Sequence, residues 1–255
     1  MKTRILPVCI ICLALAACAT GVSPSATKER IAAQSNTQLG VEYIRQKNYE
    51  LARDRLEKAI KEEPDYALAH QVIAILYDRI GDSKQAEKHY RIALRLAPDD
   101  AEGHNNYGQF LCSHERYEEA DREYLVAANN PYYKTPQVAL LNAGMCMMSR
   151  HDAAAAEKYY RLALDKDPQF APALYKMAEL EFNAKNYLLA RAWLQRFQEV
   201  AEQTPQSLWL GVRTESALGD HEGSSNYALQ LRGKFPQSDE AALLEDWEHE
   251  RRSGN

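Results

Sequence analysis

The chain repeats itself every 34 residues, and that period constrains its fold more than any single motif does. The spacing Leu39-Gly40, Tyr43, Ala52, Leu56, Ala59, Pro64 returns as Ile73-Ala74, Tyr77, Ala86, Tyr90, Ala93, Pro98. A third copy reads Tyr107-Gly108, Leu111, Ala120, Tyr124, Ala127. The fourth, after a two-residue insertion near Pro131, reads Ala143-Gly144, Met147, Ala156, Tyr160, Ala163, Pro168. The fifth keeps Met177-Ala178, Ala190 and Leu194, and the sixth keeps Gly211-Val212, the turn Gly219-Asp220, Ala228, Leu231 and Pro236. A unit of this length cannot bury its apolar face alone, so successive copies must stack and share a continuous core.

Small residues at Gly40, Ala74, Gly108 and Gly144, matched by Ala52, Ala86, Ala120, Ala156 and Ala190, mark where two helices of one unit approach each other. A larger side chain there costs about 1–3 kcal/mol of overpacking. Proline then stops the second helix, because it has no N–H and clashes with the preceding turn. The pattern resembles the tetratricopeptide repeat. That resemblance implies an all-α, right-handed superhelical solenoid of six repeats, at 33–66, 67–100, 101–136, 137–170, 171–204 and 205–238. After them, the segment from Asp239 to about Glu250 offers Leu243, Leu244 and Trp247 to cover the last repeat as a cap helix, leaving a short tail to residue 255.

In such a solenoid the first helix of each pair lines a concave face, through positions 2, 5, 9, 12 and 13 of the unit. Repeats 1 and 2 place Val41, Ile44, Leu68 and Ile75 there, an apolar patch suited to holding a partner segment. Repeat 3 interrupts it with Glu102, Asn105 and Gln109. Repeats 4 to 6 resume with Val138, Leu141, Met145, Met148, Tyr175, Phe182 and Trp209, the adaptable and aromatic residues of peptide grooves. Both patches carry a competing reading, since closure of the superhelix or the cap helix can bury the same side chains as core.

The N-terminus is a different kind of sequence. Lys2 and Arg4 precede an apolar run from Ile5 to Ala17, too short for the roughly 20 residues that span a bilayer, so residues 1–17 read as a signal peptide. Leu15-Ala16-Ala17-Cys18 resembles the lipobox of bacterial lipoproteins, which implies acylation of Cys18 as the mature N-terminus; ordinary cleavage nearby is the alternative. Ala19 stands where Asp would retain such a lipoprotein at the inner membrane, so the resemblance implies the periplasmic face of the outer membrane. Residues 18–32, polar and interrupted by Pro24, read as a tether.

Composition excludes more than it identifies. Net charge is -5, or -7 once residues 1–17 are removed, with no block of either sign, and a nucleic-acid ligand needs a basic face to release counterions. No G-x-S-x-G, H-E-x-x-H or P-loop pattern is present and the seven histidines are scattered, so we expect neither catalysis nor a cofactor, metal or small-molecule substrate. Cys112 and Cys146 lie on the first helices of adjacent repeats, and an oxidising compartment permits a disulfide between them; two small buried thiols are the alternative. With His114 and His151 the same cysteines make a weaker zinc reading.

A narrower resemblance rests on "NNYGQFLC", Asn105 to Cys112, on "PYYKTPQVALLNAGMC", Pro131 to Cys146, and on "LWLGVR" and "YALQLRGKFP" in the sixth repeat. These stretches are similar to the type IV pilus biogenesis lipoproteins called PilF or PilW. That family implies a pilotin: a protein held at the outer membrane by its lipid, which binds the secretin and promotes its localisation and multimerisation. The runner-up is an outer-membrane lipoprotein scaffold for peptidoglycan enzymes or barrel assembly.

Overall fold

A computed structural model describes residues 24–253. Among these residues thirteen helices follow one another with no strand. Six antiparallel pairs come first: α1 (Pro24–Arg45) with α2 (Tyr49–Glu62), α3 (Ala67–Arg79) with α4 (Ser83–Leu96), and α5 (Ala101–Ser113) with α6 (Tyr117–Asn129). Then come α7 (Pro136–Ser149) with α8 (Ala153–Lys166), α9 (Ala171–Asn183) with α10 (Tyr187–Val200), and α11 (Pro205–Ala217) with α12 (His221–Lys234). The last helix, α13 (Asp239–Ser253), packs on α11 and α12. The chain is an all-α tetratricopeptide solenoid.

The turn inside each pair is as periodic as the sequence. Lys47, Gly81, Glu115, His151, Lys185 and Gly219 all have positive φ, one left-handed residue per repeat. The next residue begins the second helix, and at Asn48, Asp82, Asp152 and Asp220 its side chain accepts a hydrogen bond from the first-turn amide three residues on. Gly81 and Gly219 take the left-handed conformation without steric cost, whereas the other four carry a Cβ there.

Four glycines show why the pairs need small residues. A Cβ on Gly40 would lie 2.6 Å from the Leu56 side chain, and one on Gly108 would lie 2.9 Å from the Tyr124 ring. On Gly144 it would meet the Tyr160 ring at 2.4 Å, and on Gly211 the Tyr227 ring at 2.6 Å. The large partner comes sixteen residues later each time, on the second helix. Leu56, Tyr124 and Tyr160 are almost fully buried as a result, each burial contributing about 1.5–3 kcal/mol.

One expected boundary moves. The first repeat helix begins at Pro24, nine residues before Ala33, so residues 24–32 are helix and not tether. Proline interrupts a helix from within, but at the first turn its missing N–H has no partner to lose. The added turns are held by Arg30, 3.3 Å from Glu63. The signal-peptide residues 1–17 and Cys18 lie outside the described residues.

Candidate protein-binding groove

The first-helix positions separate into three kinds once the pairs are stacked. Val41 and Leu68 are about half exposed, at 49% and 46%. Ile75 is half-buried, packed on the core of the middle repeats and on the rim of a depression of about 420 Å³ between α3 and α5. That depression is not apolar: Asp78, Arg79, Asn106, Gln109 and Ser113 share its wall with Phe110, and burial raises the Asp78 carboxyl above its usual range. The apolar surface of repeats 1 and 2 therefore ends in a polar rim at repeat 3, where Glu102 and Gln109 are exposed.

Ile44 is not part of that surface. It is 6% exposed and packs with Ala52, Leu56, Val72, Ile73 and Leu76, because α3 stacks on α1 one turn beyond Val41. Leu141 is likewise core, in the cluster that runs through the middle repeats. Asn105 is buried too and accepts a hydrogen bond of 2.9 Å from Asn142, so it joins α5 to α7 and does not line the groove. Of the second patch Met145 stays exposed and Met148 half-buried, while Tyr175 packs on Phe197.

Phe182 and Trp209 are brought together by a residue that sequence reasoning passed over. The Arg213 guanidinium lies 4.7 Å from the Phe182 ring centre and 5.4 Å from that of Trp209. Trp209 meets Trp247 of the cap helix edge to face, and Arg251 lies over Trp247 at 4.5 Å. Burial lowers the Arg213 pKa. The signal was available: position 9 of the six repeats holds Val41, Ile75, Gln109, Met145, Glu179 and Arg213, a single cation.

Between the two patches, Cys112 of α5 and Cys146 of α7 form a disulfide, with Cα atoms 5.8 Å apart. Their sulfurs are thereby withdrawn from the zinc reading, and His114 turns its Nδ1 to the Phe110 carbonyl at 2.8 Å. Among the described residues no group of three or more His, Cys, Asp or Glu side chains is placed to hold a metal ion. No described helix is long and apolar enough to cross a membrane.

Comparison with known proteins places this geometry. Tetratricopeptide repeat models match residues 43–109 and 148–207. The type IV pilus assembly protein PilF of Pseudomonas aeruginosa is 31% identical over 201 residues, covering 79% of this chain and 80% of that protein. The crystal structure of PilW, described as a widely conserved type IV pilus biogenesis factor, superposes with a TM-score of 0.71 at 33% identity, covering 83% of this chain and 97% of that one. The structure of Pseudomonas aeruginosa PilF gives 0.70 at 29% identity, over 86% and 99%. These relatives are repeat proteins of pilus biogenesis, and none of the matches indicates an enzyme family.

Proposed function

We propose that this chain, which belongs to the PilF and PilW family of type IV pilus biogenesis proteins, is an outer-membrane pilotin: a lipid-anchored repeat protein that binds the secretin and promotes its multimerisation. Family membership gives a role in type IV pilus biogenesis and protein partners as ligands. The observation that carries the finer reading is the exposure of Val41 and Leu68, about half each, with Ile75 half-buried, all on the first helices of the first two repeats. A segment of a membrane protein awaiting insertion is apolar and needs such a surface to shield it from water. The contact is with an internal segment, since Thr37 and Val41 occupy places where carboxylate-clamping repeats carry Lys and Asn.

Cys18 supplies the address in this reading. Acyl chains contribute about 0.8 kcal/mol per buried methylene, and two or more chains anchor stably where one does not. The solenoid begins six residues later, at Pro24, and no repeat position uses Cys18. We expect Cys18→Ala, secreted through an ordinary signal peptide, to yield a soluble helical protein that still binds the secretin but no longer delivers it. Ala19→Asp should give the same defect with the lipid in place. Fractionation and a probe for heat-resistant secretin multimers test this. Wild-type levels of outer-membrane multimers in both strains would overturn it and favour the scaffold alternative.

A further inference from the structure

The C-terminal end of the concave face holds a second site. A depression of about 320 Å³ lies between α9, α11 and α13, walled by Phe182, Arg213, Ser216, Ala217, Trp247 and Arg251. Arg213 is half-buried in this wall, and its Nε has no hydrogen-bond partner among the described residues. Glu179, the acid whose charge reaches Arg213, is paired with Lys176 at 2.8 Å. Arg251 donates to Ser216 at 2.6 Å and makes no ion pair within the described residues. Two guanidinium groups thus stack on aromatic faces in one small depression, and neither meets a carboxylate.

Stacking holds a guanidinium by its faces and leaves the N–H donors at its edge free, and that edge matches a carboxylate with two parallel hydrogen bonds. The Arg213 Nε is enclosed by protein, so a ligand in the depression meets the terminal Nη donors of the two guanidinium groups. The remaining wall, Phe182, Ala217 and Trp247, is apolar, and a bare anion gains nothing from it. We propose that this depression binds an acidic peptide segment, with an Asp or Glu carboxylate on Arg213 and Arg251 and a neighbouring apolar side chain against Phe182 and Trp247. The site is separate from the apolar strip of repeats 1 and 2 and does not depend on its occupant.

Titration of the full mature protein with acetyl-Leu-Asp-Leu-amide, followed by tryptophan fluorescence and by the arginine Nε–H resonances, tests the assignment. We expect saturable binding that shifts the Arg213 resonance, and binding at least about tenfold weaker for acetyl-Leu-Asn-Leu-amide, which keeps the shape and loses the charge. Arg213→Gln should weaken the acidic peptide about tenfold or more, and Arg251→Gln by a smaller factor. Arg251 lies on the last helix, so its variant decides the matter if Arg213→Gln melts early. Val41→Asp should leave this binding unchanged, which keeps the result distinct from the secretin reading. Equal affinity for the Asn peptide, inorganic phosphate binding as tightly as the Asp peptide, or undiminished binding in both arginine variants would each overturn the proposal.

Discussion

The first three repeats and the last three differ at one pair of equivalent positions, the fourth residue of each repeat, on its first helix, and its counterpart on the second. In repeats 1 to 3 these are Asn36 and Arg55, His70 and His89, His104 and Glu123; in repeats 4 to 6 they are Leu140 and Tyr159, Leu174 and Trp193, Leu208 and Tyr227. The N-terminal half thus joins its helices partly through polar side chains and keeps an open apolar strip on its concave face. The C-terminal half packs them with leucine and aromatics, and fills its concave face with stacked arginine and aromatic rings under the cap helix. The same 34-residue frame therefore supports two kinds of surface, one exposing aliphatic side chains and one built around cations.

The disulfide and the Asn105–Asn142 hydrogen bond sit where the halves meet. The two-residue insertion sits there as well, and it delays α7 to Pro136. We read this junction as the place where the two halves are held in register.

The sharpest test of the division lies within α1. Ile44 and Val41 are one turn apart, yet one is core and the other is surface. Ile44→Asp should cost several kcal/mol or abolish folding, because it buries an unpaired charge, while Val41→Asp should change stability by about 0.5 kcal/mol or less. Urea melts of both settle it, and equal losses would erase the distinction between strip and core. Next comes the junction. The bridge closes a loop of 34 residues, so Cys146→Ser should lose about 3–4 kcal/mol relative to the oxidised protein, and alkylation of two thiols in the native, unreduced protein would show that no bridge forms.

A smaller effect separates the packing of the two halves. Gly144→Ala drives a Cβ into the Tyr160 ring and to 3.2 Å from the Ala156 carbonyl oxygen, and should cost about 2–3 kcal/mol. Gly40→Ala meets only the branched end of Leu56, which can rotate, and should cost about 1 kcal/mol. Equal melting temperatures for the two variants would mean that the aromatic half is as deformable as the aliphatic one.

The smallest effect is in pH, and it belongs to the N-terminal half alone. His70 Nε2 donates to the Pro64 carbonyl at 2.9 Å, and with the ring neutral its Nδ1 accepts from His89 Nδ1, also at 2.9 Å. Burial lowers both, His89 to about 4. At the equivalent place His104 donates to the Pro98 carbonyl and to Glu123, and its hydrogen bond to Glu123 raises it. A lowered histidine binds its proton more readily when unfolded, so the His70–His89 contribution is complete above about pH 6.5 and is lost as pH falls towards 4. The raised His104 acts in reverse: its contribution is complete below the unfolded value and is lost as pH rises through its folded one. His89→Gln should therefore flatten the acid side of the melting-temperature profile by a few degrees, and His104→Gln the neutral side. An unchanged profile in both would show that neither pair titrates with folding.

Much of this architecture was legible because repetition reports it several times over. The six pairs, the small residues at Gly40, Gly108 and Gly144, and the capping helix all follow from periodic spacing, where one ambiguous copy is corrected by its neighbours. The concave surface was less legible. Ile44, Leu141 and Asn105 occupy the right helix faces, but whether an adjacent helix covers them depends on how far one repeat rotates against the next, and spacing carries no record of that angle. The start of α1 differs from the expected one because Pro24, a residue that breaks a helix from within, serves here in the first turn. Arg213 stands outside the apolar pattern that marks a peptide groove, although a lone cation in that register is visible in the sequence.

We propose that the open half, and not the cation-lined half, holds the secretin. Affinity for detergent-solubilised secretin, measured for Val41→Asp with Leu68→Asp and for Arg213→Gln beside the circular dichroism of each, separates the two. A loss of about 100-fold or more is expected for the double variant with an unchanged spectrum, and near-native affinity for Arg213→Gln. Native affinity in the double variant, or loss only on changing Arg213, would place the secretin on the other half.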